Sequence, residues 1–202
     1  MSSDTTRRSS PLLSVLIPSL VDRREKLESL EKHLRDQIGD KAVEVVNMTD
    51  EGQMSIGQKR TMLLIMAKGE YVTFVDDDDS VSPDYIDKIL KALESKPDCC
   101  SMTGRITFSD GYSRPFIHSL RYDRWIDDHE NKVYYRPPNH LNVVRKDLAL
   151  KAGFPMINSG EDRVYSSRLF PLLNKEEWIE GVLYEYKCKT TFEEAHRFQI
   201  ER

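Results

Sequence analysis

Apolar positions in the first half of the chain follow two periods in turn. Leu13 to Ile17 is a short, nearly continuous apolar run that ends at Pro18-Ser19, which predicts a strand covered on both faces. Leu27, Leu30, Leu34 and Ile38 then recur at steps of three and four, the period of a helix with one buried face. Asp22, with Glu25 three residues on, predicts a capping box at its start, and Gly39 predicts its stop. Ala42 to Val46 predicts a second strand, with Asn47 and Asp50 just beyond, and Ser55 to Ala67 a second helix with Ile56, Leu63, Met66 and Ala67 on one face. Tyr71 to Val75 is the third strand. It is followed by a helix from Pro83 to about Ser95, in which Ser82, Pro83 and Asp84 fit the N-cap, first position and first turn. Strands alternating with helices predict a parallel sheet flanked by helices on both faces. Ligands bind such sheets beyond the carboxyl ends of the strands. Those ends supply Pro18-Ser19, Asn47 to Asp50 and Asp76 to Asp79 to one crevice.

The second half changes character. Cys99 to Thr103 predicts a strand, and Arg105 to Phe108 another that enters an Asp-Gly turn at Ser109 to Tyr112. Residues 114–142 show no period and are rich in aromatics and histidine, which predicts an ordered loop of the binding type. A short helix over Arg145 to Ala152 stops at Gly153. Ser159 predicts the N-cap of a helix over Val164 to Leu173, with Glu161 and Asp162 in favourable first-turn positions.

Composition narrows the class. A chain of 202 residues, 39% hydrophobic and 32% charged, fits one soluble domain over residues 11–202 behind a flexible lead-in at 1–10. A net charge of -4 gives no general nucleic-acid-binding signature. The three cysteines, Cys99, Cys100 and Cys188, have no metal spacing and an odd count, so reduced thiols in a cytoplasmic setting are expected. Arg7-Arg8 before the first apolar run imitates a signal peptide, but Pro18 and the charged Asp22 to Lys26 break the pattern. No stretch is apolar for the roughly 18 residues of a membrane span.

Candidate chemistry concentrates in Asp76-Asp77-Asp78-Asp79. Four adjacent carboxylates repel one another unless cations or donors sit among them. In an extended chain Asp76 and Asp78 would share one side and Asp77 and Asp79 the other. The Asp-x-Asp pair would then suit a hard cation, Mg²⁺ or Mn²⁺, carrying phosphate oxygens. The plainer reading is a solvated acidic loop leading into a helix. A carboxylate from Glu161-Asp162, at a loop-helix junction, can point into the crevice as a general base.

Ser14-Val15-Leu16-Ile17-Pro18, Ile56-Gly57-Gln58-Lys59-Arg60, Ala67 to Asp79 and Gly160-Glu161-Asp162-Arg163, in this order, resemble glycosyltransferase family 2 over about residues 13–173. The resemblance implies an α/β GT-A fold, Rossmann-like, with a mainly parallel central sheet. Its nucleotide-sugar-binding half would be about 13–98, and a smaller acceptor and catalytic-base half about 99–202. It also implies a metal-dependent, inverting transferase that moves a sugar from a nucleotide-diphosphate donor, a UDP-sugar, to an acceptor hydroxyl on a saccharide, protein side chain or modified nucleobase. By the same resemblance Pro18, Ser19 and Asp50 would line the nucleoside pocket, and Asp76, with Asp77, would lie near the ribose or base. Lys59 and Arg60 would approach the diphosphate, and Asp78, with Asp76, would bind Mn²⁺ or Mg²⁺. Asp162 would be the catalytic base, supported by Glu161. Trp125, Tyr135, Asn139 and His140 are candidates for the acceptor side, and His196 for closing over the metal from the C-terminal tail. Two departures stand out: Asn47 to Gly52 lacks the family's common Asp-Asp-Gly-Ser run, and Thr61 stands where many relatives have Asn. A non-catalytic nucleotide-sugar-binding module and a metal-dependent nucleotidyltransferase are the alternatives. The second lacks its expected Gly-rich phosphate loop after the first strand.

Overall fold

The computed structural model describes residues 10–200, with side chains described as far as His196, so nearly all of the expected lead-in lies outside the described residues. Strand β1 (Leu13–Leu20) is longer than the apolar run and carries Pro18 and Ser19 in its last turn of pleat. It pairs with β3 only as far as Leu16 and continues beside β2 alone, so a proline without a donor is tolerated at position 18. A 3-10 turn, Val21–Arg23, leads into α1 (Arg24–Ile38) and places Arg23, not Asp22, at the N-cap without a side-chain cap. The expected capping box is therefore absent. Strand β2 (Val43–Asp50) runs parallel to β1 along its whole length, past the expected end at Val46. Helix α2 (Ile56–Met66) does have a capping box, with Ser55 and Gln58 bonding each other's backbone N–H.

Next come β3 (Tyr71–Phe74), β4 (Ser80–Val81) and α3 (Tyr85–Leu93). Ser82 bonds the Asp84 carboxylate rather than capping α3. Strand β5 (Cys99–Thr107) is one continuous element where two were expected, and it turns at Phe108–Gly111 into antiparallel β6 (Ser113–His118). The stretch expected to be irregular also contains β7 (Ile126–Asp128) and β8 (Val133–Arg136). Its side-chain periodicity is hidden because these strands are short and lie at the far edge of the sheet. Strand β9 (Val144–Arg145), α4 (Lys146–Ala152), α5 (Glu161–Leu169), β10 (Glu176–Lys187) and α6 (Phe192–Ile200) complete the chain.

The sheet order is β2-β1-β3-β9-β5-β6-β8-β7, with β10 paired to β5 and β4. The β2-β1-β3 part is parallel as expected, and the second half is mixed. Both faces are covered. Leu13, Val15 and Ile17 pack with Leu27, Leu30 and Leu34 of α1 and Ile86 and Ile89 of α3. Leu16, Val72 and Phe74 pack on the other face with Leu63 and Leu64 of α2, Leu148 of α4 and Tyr165 and Leu169 of α5. Each such side chain, fully buried, contributes about 2 kcal/mol over an exposed one. Together they fix where the strand ends emerge.

Candidate active site

The four aspartates do not alternate. β3 ends at Phe74 and the run closes a turn, with the Asp79 N–H on the Asp76 carbonyl at 3.1 Å, so each carboxylate enters its own environment. Asp77 is buried and accepts from Ser19 Oγ at 2.7 Å and Arg23 Nη1 at 2.9 Å. Asp78 lies 3.3 Å from the same Arg23 atom and 2.7 Å from Lys189 Nζ. Asp79 is buried and accepts from the Tyr184 hydroxyl and the Lys187 N–H, both at 2.7 Å. Burial, then the charges of Asp76 and Asp78, push its pKa up to about 7 against those two donors. Asp76 pairs with Arg60 Nη2 at 3.0 Å and sits 3.8 Å from His140 Nε2. Burial alone would raise its pKa, but the Arg60 guanidinium and His140 outweigh it and hold the carboxyl well below the usual range.

Arg60 is the hub of the site. It is only 2% exposed, lies on the Phe74 ring, and places Nε 3.4 Å from Glu161 Oε1 while Nη2 holds Asp76. Its approach to Glu161 depends on Gly57. An added Cβ there would overlap the Pro155 carbonyl, and the Gly57 N–H donates to the Ile157 carbonyl at 3.2 Å. The turn at Gly160, with φ at 78°, then starts α5. This left-handed N-cap replaces the expected Ser159 cap, and Glu161 and Asp162 do occupy the first turn. Glu161 is buried, whereas Asp162 is half-buried and accepts from the Arg163 N–H at 2.8 Å.

Two cavities meet at Arg60, Asp76 and Tyr186. The first, about 400 Å³, is lined by Pro18, Arg23, Asp76 to Asp78 and the 186–190 segment. The second, about 410 Å³, reaches Trp125, Tyr134, Asn139, His140, Glu161 and Asp162. His140 is 7% exposed, and among the described residues neither ring nitrogen has a hydrogen-bond partner; Arg60 Nε and Nη1 also lack one there. Buried donors of this kind suit a bound polar ligand. A larger groove of about 750 Å³ opens among Ser10, residues 38–44 and Lys68, before the starts of β1 and β2, and holds no such convergence.

Several expected site residues are placed differently. Lys59 is buried in an ion pair with Asp50 and donates to the Ser19 carbonyl at 2.6 Å, and Asp50 also accepts from the Met54 N–H. Lys59 and Asp50 thus tie the ends of β1 and β2 together, and neither lines the two cavities. Ser19 is turned onto Asp77. Tyr135 packs against Tyr122 with tilted rings 4.7 Å apart, and its neighbour Tyr134 faces the cavity, because alternation along β8 sends the two opposite ways. The Asn139 carboxamide lines the cavity yet also braces its own turn by accepting from the Leu141 N–H. Trp125 lies beneath the guanidiniums of Arg136 and Arg163, 4.5 and 5.1 Å from its ring centre. His196 bonds Tyr134 and the Phe192 carbonyl and makes no contact with the aspartates. Thr61, at the second family departure, bonds back to the Gly57 carbonyl.

Sequence reasoning missed Arg23, Tyr184, Tyr186, Lys187 and Lys189. All but the first come from β10 or the turn after it. Val182 to Tyr186 is rich in β-favouring residues, but the bulge around Gly181 interrupts the run and masks it.

The residues present can be tested against a divalent cation. Among the described residues no three His, Cys, Asp or Glu side chains converge on one point. Asp76, Asp77 and Asp78 are each paired with Arg23, Arg60 or Lys189, so each of the three carboxylates already has a counter-charge. A cation arriving with a diphosphate brings its own counter-charge. Asp76 and Asp78 are hard oxygen donors on one wall and fit an ion delivered in that form.

Comparison with known proteins places the chain. Its structure aligns with that of S. aureus TarS 1-349 in complex with UDP-GlcNAc at a TM-score of 0.61, with 15% identity over 88% of this chain and 58% of that TarS segment. The same TarS segment in complex with UDP gives 0.61 and 16%, over 87% and 60%. At such identities the likeness is one of fold, the GT-A arrangement of a mixed central sheet between helices, and the chain spans less than two thirds of those TarS chains. No curated protein sequence matches the chain. Residues 21–149 match the model of Glycosyl transferase family 2, a stretch that includes the aspartate run and ends before Glu161-Asp162. With well over half of its length inside that match, the chain belongs to glycosyl transferase family 2.

Proposed function

We propose that this domain transfers a sugar from a nucleotide-diphosphate donor, a UDP-sugar, to an acceptor hydroxyl with inversion. The observation that carries the reading is the pair of cavities joined at Arg60, Asp76 and Tyr186, with cations and carboxylates in one and Asp162 at the other's wall. A single displacement needs the leaving group and the base on opposite sides of the reacting carbon, and two cavities that meet at shared residues support that reading. The nucleotide would lie along Pro18 and the aspartate run. Asp78, with Asp76, would hold Mg²⁺ or Mn²⁺, which supplies charge stabilisation to the departing diphosphate. Arg60, buried at the junction, holds Asp76 and faces Glu161 at once, so it registers the donor side against the base loop. Asp162 takes the acceptor proton, and Glu161 is kept in place by Arg60. Trp125, Tyr134, Asn139 and His140 form the acceptor wall, whose aromatic faces suit a sugar ring or a nucleobase. The donor part lies mainly before about residue 98 and is joined by residues 186–190, and the acceptor part lies mainly after it, within one domain. The TarS complexes with UDP and UDP-GlcNAc support a uridine nucleotide as the first donor to test.

Asp162→Asn tests the assignment. The variant should lose about a hundredfold or more of donor turnover while binding UDP as the wild type does. Equal turnover removes Asp162 from the base role. A wild-type protein that binds UDP-sugars and turns over none would instead be a binding module.

A further inference from the structure

Of the two cations that the resemblance assigns to the diphosphate, Lys59 stays outside the donor-side cavity and Arg60 lines it from a buried position. Lys59 is spent on Asp50 and Arg60 on Asp76, both deeply buried. The cavity beside Asp78 is also lined by Arg23 and by residues 187–190, which follow from the end of β10. That segment is a fixed wall. The Lys187 N–H donates to Asp79, the Cys188 N–H to the Thr107 carbonyl, and the Thr190 carbonyl accepts from the Ser109 N–H at 3.0 Å. From it the Lys189 side chain, 65% exposed, extends to the Asp78 carboxylate at 2.7 Å. Its backbone is thus held while its ammonium is free to change partners.

We propose that Lys189 neutralises Asp78 before the donor binds and becomes a diphosphate-binding cation, together with Arg23, once a divalent ion claims that carboxylate. This deepens the transferase reading and rests on it. The physical reason is charge balance. Arg23 and Lys189 both contact Asp78 Oδ2, so a divalent cation on this carboxylate competes with them for one negative charge, and a displaced ammonium has a new anion within the same cavity. Lys189 therefore opposes free metal and favours metal with diphosphate, two effects of opposite sign that a purely structural surface lysine would not produce.

Isothermal titration of the intact chain separates them. With Mn²⁺ alone, Lys189→Met should bind the ion up to about fivefold more tightly than the wild type, the range of an exposed ion pair. With UDP at saturating Mn²⁺, the same variant should bind about five- to tenfold more weakly, and Lys189→Arg should restore that affinity. Circular dichroism of both variants checks that the fold is retained. Unchanged or weakened Mn²⁺ binding by Lys189→Met overturns the pairing role, and unchanged UDP binding overturns the diphosphate role. If the wild type binds no UDP with Mn²⁺, the uridine-nucleotide transferase reading and the diphosphate role fail together, and the Mn²⁺-only comparison still judges the pairing with Asp78.

Discussion

Asp78 and Asp79 are neighbours in the chain with opposite surroundings. Asp78 faces a cavity between two cations, while Asp79 is 5% exposed beneath β10, with its pKa pushed up to about 7 mainly by burial. In the unfolded chain an Asp titrates near 3.9, so the folded state holds this proton more tightly. The stabilising effect of that proton is complete below about pH 4 and is lost as the pH rises through about 7. Asp79→Asn does not titrate. Thermal melts between pH 5 and 8 should therefore show the wild type losing stability relative to this variant as pH rises, with a swing on the order of 1–3 kcal/mol. Parallel profiles would mean that Asp79 is ionised throughout. Asp76, held below the usual range beside Arg60, should stay charged over the same window and contribute no slope.

At the scale of elements, the contact between α2 and the loop before α5 decides whether the site is assembled. Gly57 lets the first turn of α2 meet the Pro155–Ile157 backbone, and Ile56 N–H bonds the Asn158 side chain at 3.0 Å. Gly57→Ala would gain up to about 1 kcal/mol of helix propensity. The clash, however, is with backbone, and forcing it apart costs about 1–3 kcal/mol. The expected net result is destabilisation in urea melts and a loss of turnover larger than the loss of UDP affinity, because Glu161 moves away from Arg60 while the aspartate run stays. A variant with wild-type stability and turnover would show that this close approach is dispensable. Strand β10 matters for the complementary reason that it seats Asp79 and brings Lys189 to the donor side.

For the whole molecule, donor and metal should act as one ligand. The ion pairing of Asp76 to Asp78 predicts little thermal stabilisation by Mn²⁺ or UDP separately and a clear upward shift with both. At a hundred times the dissociation constant that linkage is worth about 2.7 kcal/mol, readable by differential scanning fluorimetry. An equal shift with UDP alone would argue that Lys189, Arg23 and Arg60 suffice for the diphosphate.

The sequence alone determined the parallel half of the sheet, its helices and the placement of Pro18, the aspartate run and Glu161-Asp162 at strand and helix ends. Local period and turn chemistry carry that information, and the ordered motifs carried the family. Tertiary structure decided what each side chain does there. The aspartates turn instead of alternating, so carboxylates that read alike in sequence acquire different partners from β1, α2 and β10, with Arg23 shared by Asp77 and Asp78. Lys59 and Asp50 read as ligand contacts, but burial pairs them with each other, since an ammonium and a carboxylate away from water need a mutual partner. Lys189 lies 111 positions from Asp78, and only the pairing of β10 with β4 and β5 brings that charge to the site.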